Sequence, residues 1–275
     1  MIDLHNFVRQ HPRLFVLSGA GVSTESGIPA YRDENGQWNR NAPMTAQEFL
    51  GSSAARRRYW ARSMVGWPMV AQARPNAAHR ALARFEATGK VTRLVTQNVD
   101  GLHQRAGSAN VLELHGSLGR VICLDCGENH ARDAIQRTLE GENPAFARAR
   151  ANAAPDGDVD VDLSRLETFR IPACVECGGT LKPDVVFFGE NVPRERVEAA
   201  MRALDEADAM LVVGSSLMVY SGFRFCERAA ASGKPIAAIN RGRTRADRLF
   251  ALKVERSCVE ALSSLASAAR CAASD

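Results

Sequence analysis

Apolar residues in this chain fall first into short unbroken runs, each ending at glycine or a polar group. Leu14-Phe15-Val16-Leu17 passes into Ser18-Gly19-Ala20-Gly21-Val22-Ser23, and Leu94-Val95-Thr96 into Gln97-Asn98. Met210-Leu211-Val212-Val213 stops at Gly214-Ser215-Ser216, and Pro235-Ile236-Ala237-Ala238-Ile239 at Asn240-Arg241-Gly242. Such runs suit strands buried on both faces of a parallel sheet. Between them the period changes to that of a helix. Ala77 to Thr88 carries Ala78, Leu82 and Phe85 at helical spacing and closes at Gly89; Arg194 to Ala207 and Gly222 to Ser232 read the same way. Strand alternating with helix predicts an α/β fold with a doubly wound, Rossmann-like parallel sheet. Ligands of such sheets gather beyond the carboxyl ends of the strands, which is where the polar segments fall.

Two stretches break the rhythm. Residues 120–181 hold four paired cysteines with Gly127, Gly178 and Gly179 close behind them, and read as a small zinc-binding insert. Residues from about 37 to 75, with Trp38, Trp60, Trp67 and several arginines, read as a helical insert. The sheet domain is then expected over 1–119 and 182–275, with no internal repeat and no long low-complexity linker.

Composition narrows the class. The 275 residues are 45% hydrophobic and 24% charged, ordinary for a globular chain and against disorder. A net charge of +4, with basic residues dispersed, gives no reason to expect nucleic acid. The start of the chain lacks a basic and apolar leader, and no run of about 18 apolar residues occurs. A soluble, reducing, cytoplasmic setting with no membrane partner is the expectation.

Cys123-x-x-Cys126 and Cys174-x-x-Cys177 are the strongest spacing signal. Each pair can bring two thiolates to one cation, and two pairs complete a tetrahedral shell. Buried or redox-active pairs are the alternative. A shell of four cysteines leaves no open position for water, so a zinc ion there is expected to be structural rather than catalytic. The odd total, with Cys226, Cys258 and Cys271 scattered, argues against a complete disulfide framework.

Gly19-Ala20-Gly21 follows a strand, and a helix is expected to start near Ser23 to Ser26, which would offer amides to a pyrophosphate. The third glycine of the dinucleotide fingerprint is replaced by Thr24, so a purely structural tight turn stays open. Gln97-Asn98-Val99-Asp100-Gly101-Leu102-His103 is either a ligand loop or a self-capping polar loop. His115, in Leu112-Glu113-Leu114-His115-Gly116, is the best candidate base because imidazole titrates near neutrality; a structural histidine is the alternative. Asp156, Asp158, Asp160 and Asp162 alternate, but neither calcium-loop register puts glycine where it is needed, so a solvated acidic loop is preferred. Neither a Gly-x-Ser-x-Gly elbow nor a Walker loop is present.

Together these segments closely resemble the sirtuin family. The matching pieces are Gly19 to Pro29, Tyr31-Arg32, Thr96 to Asp100, Leu114-His115-Gly116, the four cysteines, Phe188-Gly189-Glu190, Gly214-Ser215-Ser216 and Ile239-Asn240, in family order from about residue 14 to 260. Arg58 to Arg62, Val65 to Pro68, Pro155 to Asp158 and Lys182 to Gly189 resemble the class II branch, which includes a mitochondrial animal member and bacterial proteins. The short N-terminus favours a bacterial or already processed protein.

The resemblance implies an NAD-dependent protein-lysine deacetylase or deacylase that transfers the acyl group to ADP-ribose and releases nicotinamide. It implies NAD as co-substrate and one structural Zn2+. Gly19, Ala20, Gly21, Thr24, Ile28, Gly214, Ser215, Ser216, Asn240, Arg241, Gly242 and Cys258 would line the NAD site, with Tyr31 and Arg32 on a loop closing over it. Gln97, Asn98, Val99 and Asp100 would surround the nicotinamide and its ribose, and His115 would accept a ribose hydroxyl proton, with Asn98 and Asp100 completing the catalytic group. Phe188, Gly189 and Glu190 on one side, and Val219-Tyr220-Ser221 on the other, would flank an acyl-lysine peptide added as a strand. Two positions depart from the family pattern: Tyr31 stands for phenylalanine, and Ser215 for threonine. Tyr59-x-x-Arg62 has the spacing that relatives preferring carboxyl-acyl groups use to bind a negative acyl tail. Mono-ADP-ribosyl transfer to protein, from the same NAD site, is the main alternative. A non-catalytic NAD- and zinc-dependent interaction module is the remoter one.

Overall fold

The computed structural model describes residues 3–39, 43–146 and 166–271. The acidic alternation from Asp156 to Asp162, and with it the calcium question, lies outside the described residues.

Six strands form one parallel sheet: β1 (Leu14–Ser18), β2 (Val91–Thr96), β3 (Val111–Glu113), β7 (Ala209–Val213), β8 (Ile236–Ile239) and β9 (Leu252–Val254). Three more, β4 (Gly116–Cys123), β5 (Asn129–Ala131) and β6 (Leu181–Val185), form a separate antiparallel sheet in the order β5-β4-β6. The helices are α1 (Leu4–Gln10), α2 (Ala46–Gly51), α3 (Ser53–Gln72), α4 (Ala77–Ala87), α5 (Leu102–Arg105), α6 (Arg132–Glu142), α7 (Arg194–Glu206), α8 (Tyr220–Ala231) and α9 (Cys258–Cys271).

The large sheet runs β3-β2-β1-β7-β8-β9. Its chain winds outward from β1 to one side and returns through β7 on the other, which opens a crevice between the ends of β1 and β7. Alternation along β1 shows why the sheet is covered twice. Leu14 and Val16 face a core with Phe7 of α1, Leu82 of α4 and Leu262 of α9. Phe15 and Leu17 face the opposite core, with Leu204 of α7 and Phe225 of α8. All five residues of β1 and of β7 are buried, so their apolar runs leave no polar face. Burying side chains of this size contributes on the order of 1.5–3 kcal/mol each.

One expectation is corrected. No α-helix starts at Ser23 to Ser26; after β1 the backbone makes two single 3-10 turns, Ala20–Val22 and Thr24–Ser26, ending at Gly27 with φ of 85°. The turn is held by close contact with the loop after β7, where Gly214 approaches the backbone of Gly21 and Val22. The α8 helix also begins earlier than its periodicity suggests, at Tyr220 rather than Gly222.

The two inserts share one core. Phe49 of α2 and Tyr59, Trp60 and Met64 of α3 pack with Val121 and Cys123 of β4, Ile135 and Leu139 of α6, and Leu181 of β6. The Arg132 guanidinium is buried between the Trp60 and Trp67 rings, 5.6 and 5.1 Å from their centroids. Among the described residues no helix is long and apolar enough to cross a membrane.

Candidate active site

The strand ends place the polar segments around one cavity of about 710 Å³. Gly19 to Gly21 follow β1, Gln97 to Val99 follow β2, Gly214 to Ser216 follow β7, and Asn240 with Arg241 follow β8; Thr24 and Cys258 also line it. The crevice is closed at its base by backbone contacts between the first and third of these loops. Gly19 N–H donates to Val213 O at 2.9 Å, and Gly21 N–H to Gly214 O at 2.8 Å. Gly214 has φ of 62°, and a Cβ there would run into the amide nitrogen of Val22 and lie 2.7 Å from the Gly21 carbonyl carbon. Only glycine allows this approach.

Side chains then tie the loops together. Gln97 Nε2 donates to Ser215 Oγ at 2.9 Å, and Asn98 Nδ2 to Gly19 O at 3.2 Å and Ser23 Oγ at 3.1 Å. The Asp100 carboxylate accepts from Ser23 Oγ at 2.7 Å and from the Leu102 amide at 2.9 Å. Burial pushes the Asp100 carboxyl upward, opposed by those hydrogen bonds and by Arg105. Asp100, Ile28 and Gly242 do not line the cavity. Ile28 is buried with Ala73 and Leu102, Asp100 braces the loop from behind, and Gly242 packs against the Glu34 backbone.

Tyr31 and Arg32 line the outer wall. Arg32 sits 3.8 Å over the Trp38 ring and donates to Gly36 O at 2.8 Å, while Tyr31 meets Trp38 edge-on. Phe188, Gly189 and Glu190 form one lip, where Glu190 accepts from the Phe187 amide at 2.7 Å and pairs with Lys182 at 3.1 Å. Val219 and Tyr220 form the other; they are 39% and 51% exposed, among the few large apolar side chains left in solvent. The Phe188 carbonyl is already taken by the Ala46 amide at 2.9 Å and the Val219 carbonyl by the first turn of α8, so an extended peptide would lie in the cleft between these two lips.

His115 lies at the junction of the two sheets, one residue before β4, and lines the same cavity. Its carbonyl oxygen accepts from the Val186 amide, and Gly116, with φ of 82°, turns the chain into β4. The ring is held at both nitrogens: Nδ1 lies 2.9 Å from Gln97 O and Nε2 2.8 Å from Ser221 Oγ. Burial lowers its pKa to about 4, assisted by Arg196 and Arg224. The imidazole is therefore neutral at physiological pH, as a proton acceptor must be. His79 and His103 do not line the cavity; their rings lie 4.8 Å apart, tilted by 58°, and are likewise neutral through burial.

Sequence reasoning missed Arg224 and the pairing of Ser221 with His115. Both line the cavity from the first turns of α8, three residues apart and so on one face. Strand-end position combined with that spacing was the available signal. Of the acyl-selectivity pair, Tyr59 lines the cavity and Arg62 does not.

The four paired cysteines converge away from the cavity. Cys123 and Cys177 sulfurs lie 3.5 Å apart, Cys126 and Cys174 sulfurs 3.8 Å, and all four within 4.8 Å of one another. Zinc–thiolate bonds of about 2.3 Å in a tetrahedron place sulfurs roughly 3.8 Å apart, so the donor set and spacing fit zinc. Gly127 and Gly178, both at φ of 75°, end the two knuckles. Strand β4 runs from beside His115 to Cys123, on the order of 25 Å at strand rise, which keeps the metal site out of the chemistry.

A family model described as the Sir2 family matches residues 19–221. The chain belongs to the Sir2 family. Over 262 residues, this sirtuin is 60% identical to the NAD-dependent protein deacetylase of Xanthomonas campestris pv. campestris (strain 8004), covering 95% of this chain and 89% of that one. It is 58% identical over 264 residues to the protein of the same name from Bordetella bronchiseptica, covering 96% of each. Among solved structures, a Sir2 protein with a p53 peptide and NAD+ superposes with a TM-score of 0.75 at 29% identity, covering 98% of this chain and 99% of the other.

Proposed function

We propose that this sirtuin is an NAD-dependent protein-lysine deacetylase, transferring the acyl group of a modified lysine to ADP-ribose with release of nicotinamide. The observation that carries the reading is a neutral, doubly anchored His115 facing one cavity with the glycine loops of β1 and β7. Bound NAD supplies the ribose carbon to which the acyl oxygen bonds as nicotinamide leaves. Gly19, Ala20, Gly21 and Thr24, with Gly214 to Ser216, Asn240, Arg241 and Cys258, are the residues we assign to NAD from the cavity wall. Gln97, Asn98 and Val99 hold the nicotinamide end, with Asp100 fixing Ser23 and the loop behind it. His115 takes the hydroxyl proton. Enclosure and orientation supply much of the rate, because an amide is a poor nucleophile.

The lips Phe188 to Glu190 and Val219 to Tyr220 fit an extended acyl-lysine peptide. The four cysteines would hold one zinc ion that fixes the β4–β6 sheet. A reducing, cytoplasmic setting suits four free thiols offered to a metal. The motifs at Arg58 to Pro68 and Lys182 to Gly189 support placing the chain in the class II branch, and the two cysteine pairs support treating 120–181 as an insert into a sheet domain of 1–119 and 182–275.

Incubation of the purified chain with NAD and a panel of acyl-lysine peptides, read by mass spectrometry, tests the reading. Acyl-ADP-ribose plus free lysine is the expected product. A mass gain of ADP-ribose on protein, with no acyl transfer, would favour mono-ADP-ribosyl transfer instead.

A further inference from the structure

Gln97 O can only accept a hydrogen bond, so Nδ1 of neutral His115 carries the proton and Nε2 presents its lone pair. That lone pair is already engaged. The Ser221 hydroxyl, 2.8 Å away, faces an unprotonated nitrogen and must donate to it. This is the one hydrogen bond of the Ser221 side chain among the described residues, since the α8 N-cap position is Val219 and uses no side-chain cap. Ser221 and His115 both line the cavity.

A base with a filled lone pair takes a substrate proton either after the serine leaves or through it. The surrounding packing favours the second route. Gly222, next in the chain, packs against the Gln97 side chain so closely that a Cβ there would overlap its amide oxygen. Gln97 is the same residue whose carbonyl holds the imidazole. Phe225 and Cys226 on the buried face of α8 are fully inside the core. The helix that carries Ser221 and the imidazole are thus both held against Gln97, which keeps the hydroxyl within reach of Nε2.

We infer that Ser221 is a proton relay in front of His115. The substrate O–H bond breaks towards Ser221 Oγ while the Ser221 O–H bond breaks towards His115 Nε2. Serine ends neutral, the imidazole becomes imidazolium, and the substrate oxygen becomes the nucleophile at the acyl carbon. The inference rests on the deacetylase reading. The charged groups facing the imidazole are Arg224 from α8 and Arg196 from α7, and both disfavour the imidazolium. A partner that shares the proton is of most use where the base is weakest.

The test is a proton inventory of acyl transfer in H2O–D2O mixtures, using the full zinc-loaded chain, for the native protein, Ser221→Ala, Ser221→Thr and His115→Ala. Two protons in flight give a bowl-shaped inventory for the native protein and a straight line for Ser221→Ala. Turnover of Ser221→Ala is expected to fall about 10²-fold, with KM for NAD much less affected and the acid limb of the rate profile moved to higher pH. Ser221→Thr restores the hydroxyl and is expected to recover much of the rate and the curvature. Equal or faster turnover in Ser221→Ala with His115→Ala still inactive overturns the relay and leaves the deacetylase reading intact. A straight line for the native protein, or loss in Ser221→Ala that threonine does not recover, also overturns it. Failure of the native protein to transfer an acyl group at all overturns the deacetylase reading, and the relay with it.

Discussion

The carbonyl oxygen of Gln97 accepts a hydrogen bond from Nδ1 of His115 at 2.9 Å, and so sets the tautomer of the proposed base. The bond by itself favours the charged ring, but burial outweighs it and brings the pKa to about 4. The acid limb of kcat/KM, which reports the free enzyme, should therefore lie well below the usual histidine value of about 6.5. Between pH 5 and 8 no loss should trace to His115, whereas His115→Ala should lose about 10²-fold or more throughout that range. An inflection near 6.5 that disappears in His115→Gln would show an imidazole open to water and refute the enclosed site.

Acid stability follows from the same burial at three rings. His79, His103 and His115 titrate at about 4, 3 and 4 in the folded chain, with desolvation the largest cause in each. Above about pH 6.5 all three are neutral whether folded or unfolded. As pH falls from there towards 4, the unfolded chain binds protons that the folded chain refuses, so stability is lost. His103→Gln can keep the contact with Ser18 Oγ while removing the titration. Its Tm should therefore fall less steeply than the native protein's between pH 7 and 5. A parallel decline in both proteins would remove His103 from the acid response.

The period of the apolar runs carried the sheet, because β1 and β7 are buried on both faces and their sequences show it directly. The two cysteine pairs gave the metal site for a similar reason, since a knuckle is a local structure. The missing helix after β1 was not legible. Ala20 to Ser26 is compatible with a helix, and what prevents one is the approach of Gly214, nearly two hundred positions away in the chain. His115 was legible as a candidate alone. Its partners Gln97 and Ser221 are brought to it by β2 and α8, and no spacing in the sequence records that meeting. The common core of the two inserts was hidden likewise, because Trp60 and Leu139 are joined only in three dimensions.

The metal site should be required for folding of the insert core rather than for chemistry. Cys123 and Cys174 are buried in that core, while Cys126 and Cys177 are exposed. Stripping the zinc, or replacing Cys177 by alanine, would leave thiolates with no cation between them, loosening β4 against β6. Structural zinc contributes several kcal/mol or more, so Tm should fall on the order of 10 °C. Activity should fall with it, because β4 begins beside His115. Native metal content of about one zinc per chain, measured by plasma emission, should drop in Cys177→Ala. A chain that is isolated metal-free with unchanged Tm and activity would rule out this role.

Gly214 offers the sharpest separation of cofactor binding from folding. It stands at φ of 62°, where an alanine is strained by about 1–2 kcal/mol, and the added methyl would meet the backbone of Gly21 and Val22 rather than a side chain that could rotate away. The loops after β1 and β7 must then part, opening the 2.8 Å bond from Gly21 N–H to Gly214 O that closes the base of the cavity. The sheet behind them is held by two cores and should survive, at a loss of roughly 2–4 kcal/mol. Gly214→Ala is therefore expected to fold and keep its zinc, yet bind NAD at least tenfold more weakly by calorimetry. Gly233→Ala serves as the comparison. It shares the positive φ, at 67°, but has open space around it and lies at the far end of α8. It should lose stability by a similar strain without losing NAD affinity, and equal weakening of NAD binding in both variants would show that strain, not closure of the crevice, was responsible.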